Sequence, residues 1–276
     1  MNMFLLWLLP VAYLAIISAV TAHEIIGHGG IASILGSPLR GFGIMVDGMG
    51  WAAIDPSGLS PFRLAIMYAG GAFVTNLLCI VFILLGIRFK KNYLTSSALF
   101  LFAYAFLSDG IPYFFWDSIF RGGLGDPSAI LRLYPYEWLR ILFIVVSGLI
   151  MVIGIFLFNY WMLTRTFAWF KTKGETRMKE ILIIAGTLFT VQALGWLSFG
   201  WEQLIPVEGV GLLPPITAIL LTALFLVLIT IRIKEHDVNI ETGVIRWKAA
   251  TIVSWCACIA LVTVIVIWLQ HGVVLV

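Results

Sequence analysis

Long apolar runs, separated by short polar connections, make up most of the chain. Seven runs stand out, at roughly 3–34, 64–87, 94–116, 138–163, 181–200, 211–232 and 248–270. A helix needs about 20 residues to cross the hydrocarbon core of a bilayer, and each run provides about that number. Because backbone amides in lipid must be satisfied within their own segment, the runs are predicted to be helices. The pattern therefore predicts an all-α polytopic membrane protein with about seven transmembrane helices.

The connection between the first two runs has a different pattern. It contains Asp47–Gly48 flanked by apolar residues, in the order IMV-DG-MGWAAI, which is typical of a short β-hairpin. An exposed strand edge can pair with an extended peptide, and a plain surface hairpin is the alternative. No connection is long enough to form a soluble domain, so residues 1–276 are predicted to form a single transmembrane domain.

The composition supports a membrane protein. Hydrophobic residues make up 61% and charged residues 11% of the chain, whereas soluble domains contain about 25% charged residues. Basic loops beside a membrane explain the net charge of +3, so a lipid bilayer is the expected surroundings and no nucleic-acid partner is expected. The first run lacks the basic residues that begin a signal peptide, and we expect it to remain as a membrane helix.

The basic residues of the connections predict an orientation. If all seven runs cross the membrane, the even-numbered connections share one side with the N-terminus. That side carries 12 of the 17 Lys and Arg residues, which leaves five for the other side. Because cytoplasmic loops are enriched in Lys and Arg, the N-terminus is predicted to be cytoplasmic and the C-terminus outside.

Two of the four histidines lie close together inside the first run, in the sequence AHEIIGHGG. Ionisable side chains at membrane depth are costly and usually functional. Zinc binds neutral imidazoles, often together with a carboxylate. A glutamate beside the first histidine can accept a proton from water at the open position of the ion, as in the H-E-x-x-H motif. His23, Glu24 and His28 provide these groups, and Zn²⁺ is the expected cofactor.

The spacing of the two histidines decides whether they can share an ion. His23 and His28 are five residues apart, so in a regular α-helix their side chains diverge by roughly 140°. A single-turn π-bulge absorbs one extra residue, and Gly27 provides backbone freedom for it. We therefore expect a bulge or break between Glu24 and Gly30. The alternative is two histidines that are hydrogen-bonded within a helix bundle.

A third metal ligand must come from elsewhere in the chain. Asp109, late in the third run, is predicted to lie at a depth similar to that of His23. The alternative is a turn, because Asp-Gly with a nearby Pro is a turn signal. Asn76, in the second run, could hydrogen-bond a substrate or a ligand, or it could make a polar contact between helices. Gly70 and Gly71 are candidate substrate-binding or supporting residues, although close packing of helices is the simplest role for them.

Asp126 stands before Pro127, after the third run. An Asp at the N-cap followed by a Pro at the first helical position explains this pair without chemistry. The other interpretation of Asp126 is a supporting role near the metal.

Four stretches of the chain resemble the site-2 protease superfamily of intramembrane zinc metalloproteases, and most nearly its compact branch. They are, in order, AHEIIGHGGIASILG, GFGIMVDGMG, MYAGGAFVTNLL and LSDGIPYFFWDSIFRGGLGDPSAI. The family shows a His-Glu helix, a β-ribbon, a glycine-rich helix with a downstream Asn, and a helix that carries Asp-Gly. The resemblance covers about residues 1–135, and the additional helices of 136–276 have no assigned role.

The resemblance implies zinc bound by His23, His28 and Asp109, with Glu24 as the general base and Asn76 near the substrate. It also implies intramembrane proteolysis, the hydrolysis of a peptide bond in a membrane-spanning protein. The extra residue in H-E-I-I-G-H departs from the family's spacing. It favours the alternative of a catalytically inactive accessory or assembly subunit that binds a partner membrane subunit. A less favoured hypothesis is a transporter that uses His23, Glu24 and Asp109 as a proton or metal relay.

Overall fold

The computed structural model describes residues 2–120, 125–171, 220, 223–224 and 247–275. Within these ranges, five helices are long and apolar enough to cross a membrane, namely Leu6–Ile34, Pro61–Arg88, Tyr93–Ile119, Glu137–Met162 and Lys248–Leu269. They coincide with five of the apolar runs, so the prediction of a membrane-like helical protein is confirmed for those five. The runs at 181–200 and 211–232 lie outside the described residues except for three positions, and a total of seven spans stays a prediction.

The first span changes its helical geometry part-way along. Helix α1 (Asn2–Thr21) continues without a break into a π-helix, π1 (Ala22–Gly30), and ends in a last α-helical turn, α2 (Ile31–Ile34). Two strands follow this span, β1 (Leu39–Ile44) and β2 (Gly50–Ile54).

A short 3-10 helix, Pro56–Gly58, follows β2. The remaining elements are four long helices, one short helix between them, a second π-helix and a third strand. They are α3 (Pro61–Arg88), α4 (Tyr93–Phe120), α5 (Asp126–Leu133), α6 (Glu137–Lys171), α7 (Trp247–Val264), a second π-helix, π2 (Ile265–Leu269), and strand β3 (Val273–Val274). Helices α3, α4 and α6 contribute the second, third and fourth described spans, and α7 with π2 forms the last.

The hairpin belongs to a three-stranded antiparallel sheet in the order β2-β1-β3. In its turn, Gly48 has a φ of 90°, and Asp47 Oδ1 accepts a hydrogen bond from the Met49 amide at 3.1 Å. The predicted Asp-Gly hairpin is therefore confirmed. On the other side of β1, Phe42 pairs with Val273. The sequence pattern does not predict β3, because a strand of two residues is too short to show an alternation of apolar and polar positions.

Small side chains let the central spans approach closely. One buried cluster joins α1, π1, α3 and α4, and it contains Ala15, Ala19, Ala22, Cys79, Ala103, Ala105 and Phe106. Helix α7 packs against α1, where Trp255 Nε1 donates to the Leu6 carbonyl at 2.8 Å. Helix α6 packs against α4, where Phe100 stacks on Trp161. Helices α1, α3 and α4 thus make the central contacts. The outer faces of α3, α6 and α7 expose apolar side chains, as expected beside lipid.

Candidate metal centre

The π-helix brings the two histidines of the first span together. In a π-helix the backbone hydrogen bonds join residues five apart, so side chains five positions apart lie on one face. The rings of His23 and His28 accordingly have centroids 4.8 Å apart. Both side chains are buried. The predicted deformation between Glu24 and Gly30 is confirmed, and the rings do not diverge as they would in an α-helix.

Glycines on both sides allow α3 to approach π1 at this level. A Cβ atom added to Gly27 would lie 2.5 Å from the Gly71 Cα and 2.9 Å from the Gly70 carbonyl oxygen. A Cβ on Gly71 would collide with the imidazole of His23. The interpretation of Gly70 and Gly71 as close-packing residues is confirmed, whereas their contact with a substrate stays a prediction.

Asp126 completes a group of three potential metal ligands. Its Oδ2 atom lies 3.1 Å from the Nε2 atoms of both His23 and His28. One ligand atom from each of the three residues lies within 4.8 Å of the others. Burial raises the pKa of Asp126, but hydrogen bonds from the two imidazoles outweigh burial and hold this pKa below its usual value. Gly125 occupies the N-cap position of α5, so the capping role predicted for Asp126 is wrong.

Asp109 lies on the opposite edge of the His23 ring. Its Oδ2 atom is 2.8 Å from His23 Nδ1, and both side chains are buried. Apart from this close contact, neither atom has a hydrogen-bond partner in the described ranges. Helix α4 runs through Gly110 and Pro112 without interruption, so the alternative of a turn at Asp109 is wrong. Gly110 instead permits close packing, since a Cβ there would lie 2.9 Å from the Ala72 Cα.

His28 is held by the backbone of α3. Its Nδ1 atom lies 2.9 Å from the carbonyl oxygen of Met67, which can accept a hydrogen bond from the ring. His28 therefore has Nε2 towards Asp126 and Nδ1 towards α3. Sequence reasoning could not find this partner, because a backbone carbonyl is available at every residue and carries no sequence signal.

Glu24 follows His23 on π1 and is half-buried. A Cβ atom added to Gly50, the first residue of β2, would lie 2.8 Å from Glu24 Cγ. Glu24 is thus next to the ligand His23 in the chain and packs against the start of β2. Over the described stretches of the chain, its carboxylate forms no hydrogen bond or salt bridge, so it is free to accept a proton.

Asn76 has a partner within its own helix. Its Nδ2 atom donates to the Ala72 carbonyl at 2.7 Å, four residues earlier on α3. A contact between Asn76 and a substrate stays a prediction.

A second buried aspartate ties α5 to α4. Ser128 Oγ lies 3.3 Å from Asp117 Oδ2 and donates a hydrogen bond to it, and Asp117 is 7% exposed. Ser128 is two residues after Asp126, so this contact holds the helix that presents the shared carboxylate. Asp117 was not among the site residues predicted from the sequence. The available signal was an acidic residue among aromatic residues, in YFFWDSIF, within a membrane-like run.

Comparison of the chain with protein-family models, curated proteins and solved structures finds no match. The site must therefore be interpreted from its own chemistry. Two imidazoles and one carboxylate are a donor set that fits a divalent transition metal, and three protein ligands leave a fourth position of a tetrahedral ion open. The residues present thus fit the ion that the sequence analysis expects.

Proposed function

We propose that the protein is an integral membrane zinc metalloprotease that hydrolyses a peptide bond of a membrane-spanning substrate. The observation that carries this proposal is the convergence of His23, His28 and Asp126 beside Glu24. His23, Glu24 and His28 lie within a helix that is long and apolar enough to cross a bilayer. Buried ionisable groups are costly in such a position, and a metal ion compensates this cost by binding them together.

Zinc fits the donor set and the neighbouring glutamate. Catalytic zinc sites commonly use three His or carboxylate ligands and leave one position for water or substrate. When bound, the ion would polarise the scissile carbonyl and lower the pKa of a water molecule, which then attacks at neutral pH. A glutamate without a partner among the described residues is suited to hydrolysis, because it can take up the proton that this water loses.

Glu24 would carry the proton through the reaction. It accepts a proton as the water oxygen forms its bond to the carbonyl carbon. It then delivers this proton to the amide nitrogen as the carbon–nitrogen bond breaks, so that the amine leaves in neutral form. His23, His28 and Asp126 keep their protonation states throughout, because they serve as ligands.

Strand β2 offers a place for the substrate. Among the described strands it pairs only with β1, so its other edge is free, and its first residue, Gly50, packs beside Glu24. An extended peptide that adds to this edge would gain main-chain hydrogen bonds and pass close to Glu24. A membrane-spanning substrate must unwind there, because a helix keeps its carbonyl groups in internal hydrogen bonds.

The structure weakens the main argument for an inactive accessory or assembly subunit. That argument was the extra residue between the histidines, which would make them diverge in a regular helix. Since π1 accommodates the extra residue and the rings lie together, the spacing no longer counts against a metal site. The proposed partner is therefore a substrate rather than a fellow subunit.

Metal analysis combined with one conservative variant tests the proposal. The purified protein should contain about one zinc ion per chain, and Glu24→Gln should retain it because Glu24 is not a ligand. Purified wild type and Glu24→Gln would each be reconstituted into vesicles with a detergent extract of total membrane proteins. New peptide termini would then be identified by N-terminal labelling and mass spectrometry.

We expect new termini within apolar segments with wild type and none with Glu24→Gln. The control is Glu137→Gln, an exposed residue at the start of α6 that should leave cleavage unchanged. Identical termini with wild type and Glu24→Gln, or a protein that contains iron instead of zinc, would contradict the proposal.

A further inference from the structure

The two imidazoles of the metal centre are held in the same way. Each ring has its Nε2 atom 3.1 Å from Asp126 Oδ2. Each also has its Nδ1 atom against an oxygen of another helix. For His28 this is the Met67 carbonyl of α3 at 2.9 Å, and for His23 it is the Asp109 carboxylate of α4 at 2.8 Å. The two aspartates therefore occupy opposite edges of the His23 ring.

This arrangement determines which nitrogen can bind an ion. A neutral imidazole carries one proton, and the nitrogen without it offers the lone pair. An oxygen acceptor beside Nδ1 retains the proton on that nitrogen, so the proton that Nε2 shares with Asp126 is the one that an arriving ion displaces, and Nε2 becomes the ligand. Both histidines thus present Nε2 to one point, which is the point that Asp126 also faces. The lone pairs of the two ring nitrogens diverge, so an ion on Nε2 lies away from a carboxylate that sits at Nδ1.

We propose that Asp126 is the third metal ligand and that Asp109 is a positioning residue, which holds His23 in the ligating tautomer. This inference rests on the metal site of the proposed function. It reverses the sequence-based expectation, in which Asp109 binds the ion and Asp126 has at most a supporting role. It also places one ligand on α5, which lies outside the five membrane-like helices.

Burial is consistent with these separate roles. Asp109 is 5% exposed, so its oxygen at His23 Nδ1 has little access to water and a strong effect on the ring. Carboxylates in this position raise the basicity of the histidine and orient it, and their removal typically weakens metal binding by about 10–100-fold. Removal of a ligand itself changes the coordination of the ion, which an optical spectrum detects.

Cobalt binding distinguishes the two roles. The full chain in detergent would be titrated with Co²⁺ in competition with a chromophoric chelator, and the visible spectrum would be recorded at saturation. Asp126→Asn should change the band positions and weaken affinity most. Asp109→Leu, which removes the acceptor, should weaken affinity about 10–100-fold with unchanged bands. Asp109→Asn, which keeps an oxygen acceptor, should recover part of the loss. Asp55→Asn, at an exposed turn, serves as the control.

The outcomes separate this inference from the proposed function. If the wild-type protein binds no Co²⁺ or Zn²⁺, the metal site itself is wrong and both proposals fail. If it binds the ion but Asp109→Leu shifts the bands while Asp126→Asn preserves them, only the division of roles is wrong. Unchanged affinity in both Asp109 variants would also overturn the positioning role. Size-exclusion chromatography of each variant tests whether it is folded. If Asp109→Leu does not fold, Asp126→Asn and Asp109→Asn, which preserve side-chain shape, show which aspartate is the ligand.

Discussion

The contact between Gly27 and Gly71 allows a sharp test of the structure, by the substitution Gly27→Ala. The added Cβ would lie 2.5 Å from the Gly71 Cα and 2.9 Å from the Gly71 amide nitrogen. Carbon atoms in contact are about 3.5–4.0 Å apart, so π1 and α3 must separate by about 1 Å. The obstructing atoms belong to the backbone and cannot rotate away. Overpacking of this kind typically costs about 1–3 kcal/mol of the free energy of unfolding.

Gly30→Ala is the matched control on the same π-helix. The nearest atom to a Cβ at Gly30 is the Ile25 carbonyl oxygen, at 3.9 Å, which is ordinary contact. Alanine is favoured over glycine in a helix by about 1 kcal/mol. We therefore expect this variant to be as stable as the wild type or slightly more stable.

Thermal unfolding in detergent, followed with a thiol-reactive fluorescent dye, measures the difference. Cys79 and Cys258 are buried and become reactive on unfolding, whereas the exposed Cys256 reacts in the folded protein and sets the baseline signal. A loss of about 1–3 kcal/mol corresponds to a lowering of Tm by roughly 2–12 °C. Gly27→Ala should also weaken metal binding, since α3 holds His28 through the Met67 carbonyl. Equal Tm values for Gly27→Ala and Gly30→Ala would refute the close approach of π1 and α3.

Two further predictions concern elements beside the site. Ser128→Ala removes the hydrogen bond to Asp117, which is worth about 1 kcal/mol. The helix that presents Asp126 should then be held less firmly and cobalt affinity should fall by up to about fivefold, whereas unchanged affinity would show that the tie has no influence on the site. Gly41→Ala places a Cβ 2.8 Å from the Val273 carbonyl oxygen and should detach β3. Faster hydrogen–deuterium exchange at residues 273–275 would show this, and an unchanged rate would contradict it.

The deformed helix could be predicted from the sequence because it depends only on the spacing of two histidines within one short segment. Two histidines five residues apart can face one ion only if the backbone between them departs from α-helical geometry. Gly27 lies within that interval, where the backbone of α3 also approaches. Hydropathy likewise identifies the five described spans, since each is a continuous apolar segment. These features depend on short stretches and can be deduced without knowledge of the tertiary structure.

The roles of the aspartates could not be deduced in the same way. Asp126 comes from a short helix between two spans, and its position next to the histidines depends on how that helix packs against α3 and α4. The Asp-Gly pair at Asp109 suggested either a ligand or a turn, but the glycine serves the contact between α4 and Ala72. A short motif does not reveal which residue from a distant part of the chain will pack against it. Strand β3 was missed because its two residues are too few to show an alternation, and because its partner β1 lies in a distant part of the chain.

The pairing of β3 with β1 has a consequence for the sidedness of the protein. Strand β1 follows the first span, and β3 follows the last span in the described part of the chain. Paired strands must lie in the same aqueous compartment, so the first span and α7 both end in that compartment if the helices cross a bilayer. The three spans α3, α4 and α6 then bring the chain to the opposite compartment at the end of α6. The start of α7 must lie in that opposite compartment as well. The first residues of α1 share that second compartment. Single cysteines introduced at residues 47 and 273 can be labelled with a membrane-impermeant reagent. The two positions should be labelled to the same extent as each other in intact cells, and again in inverted vesicles.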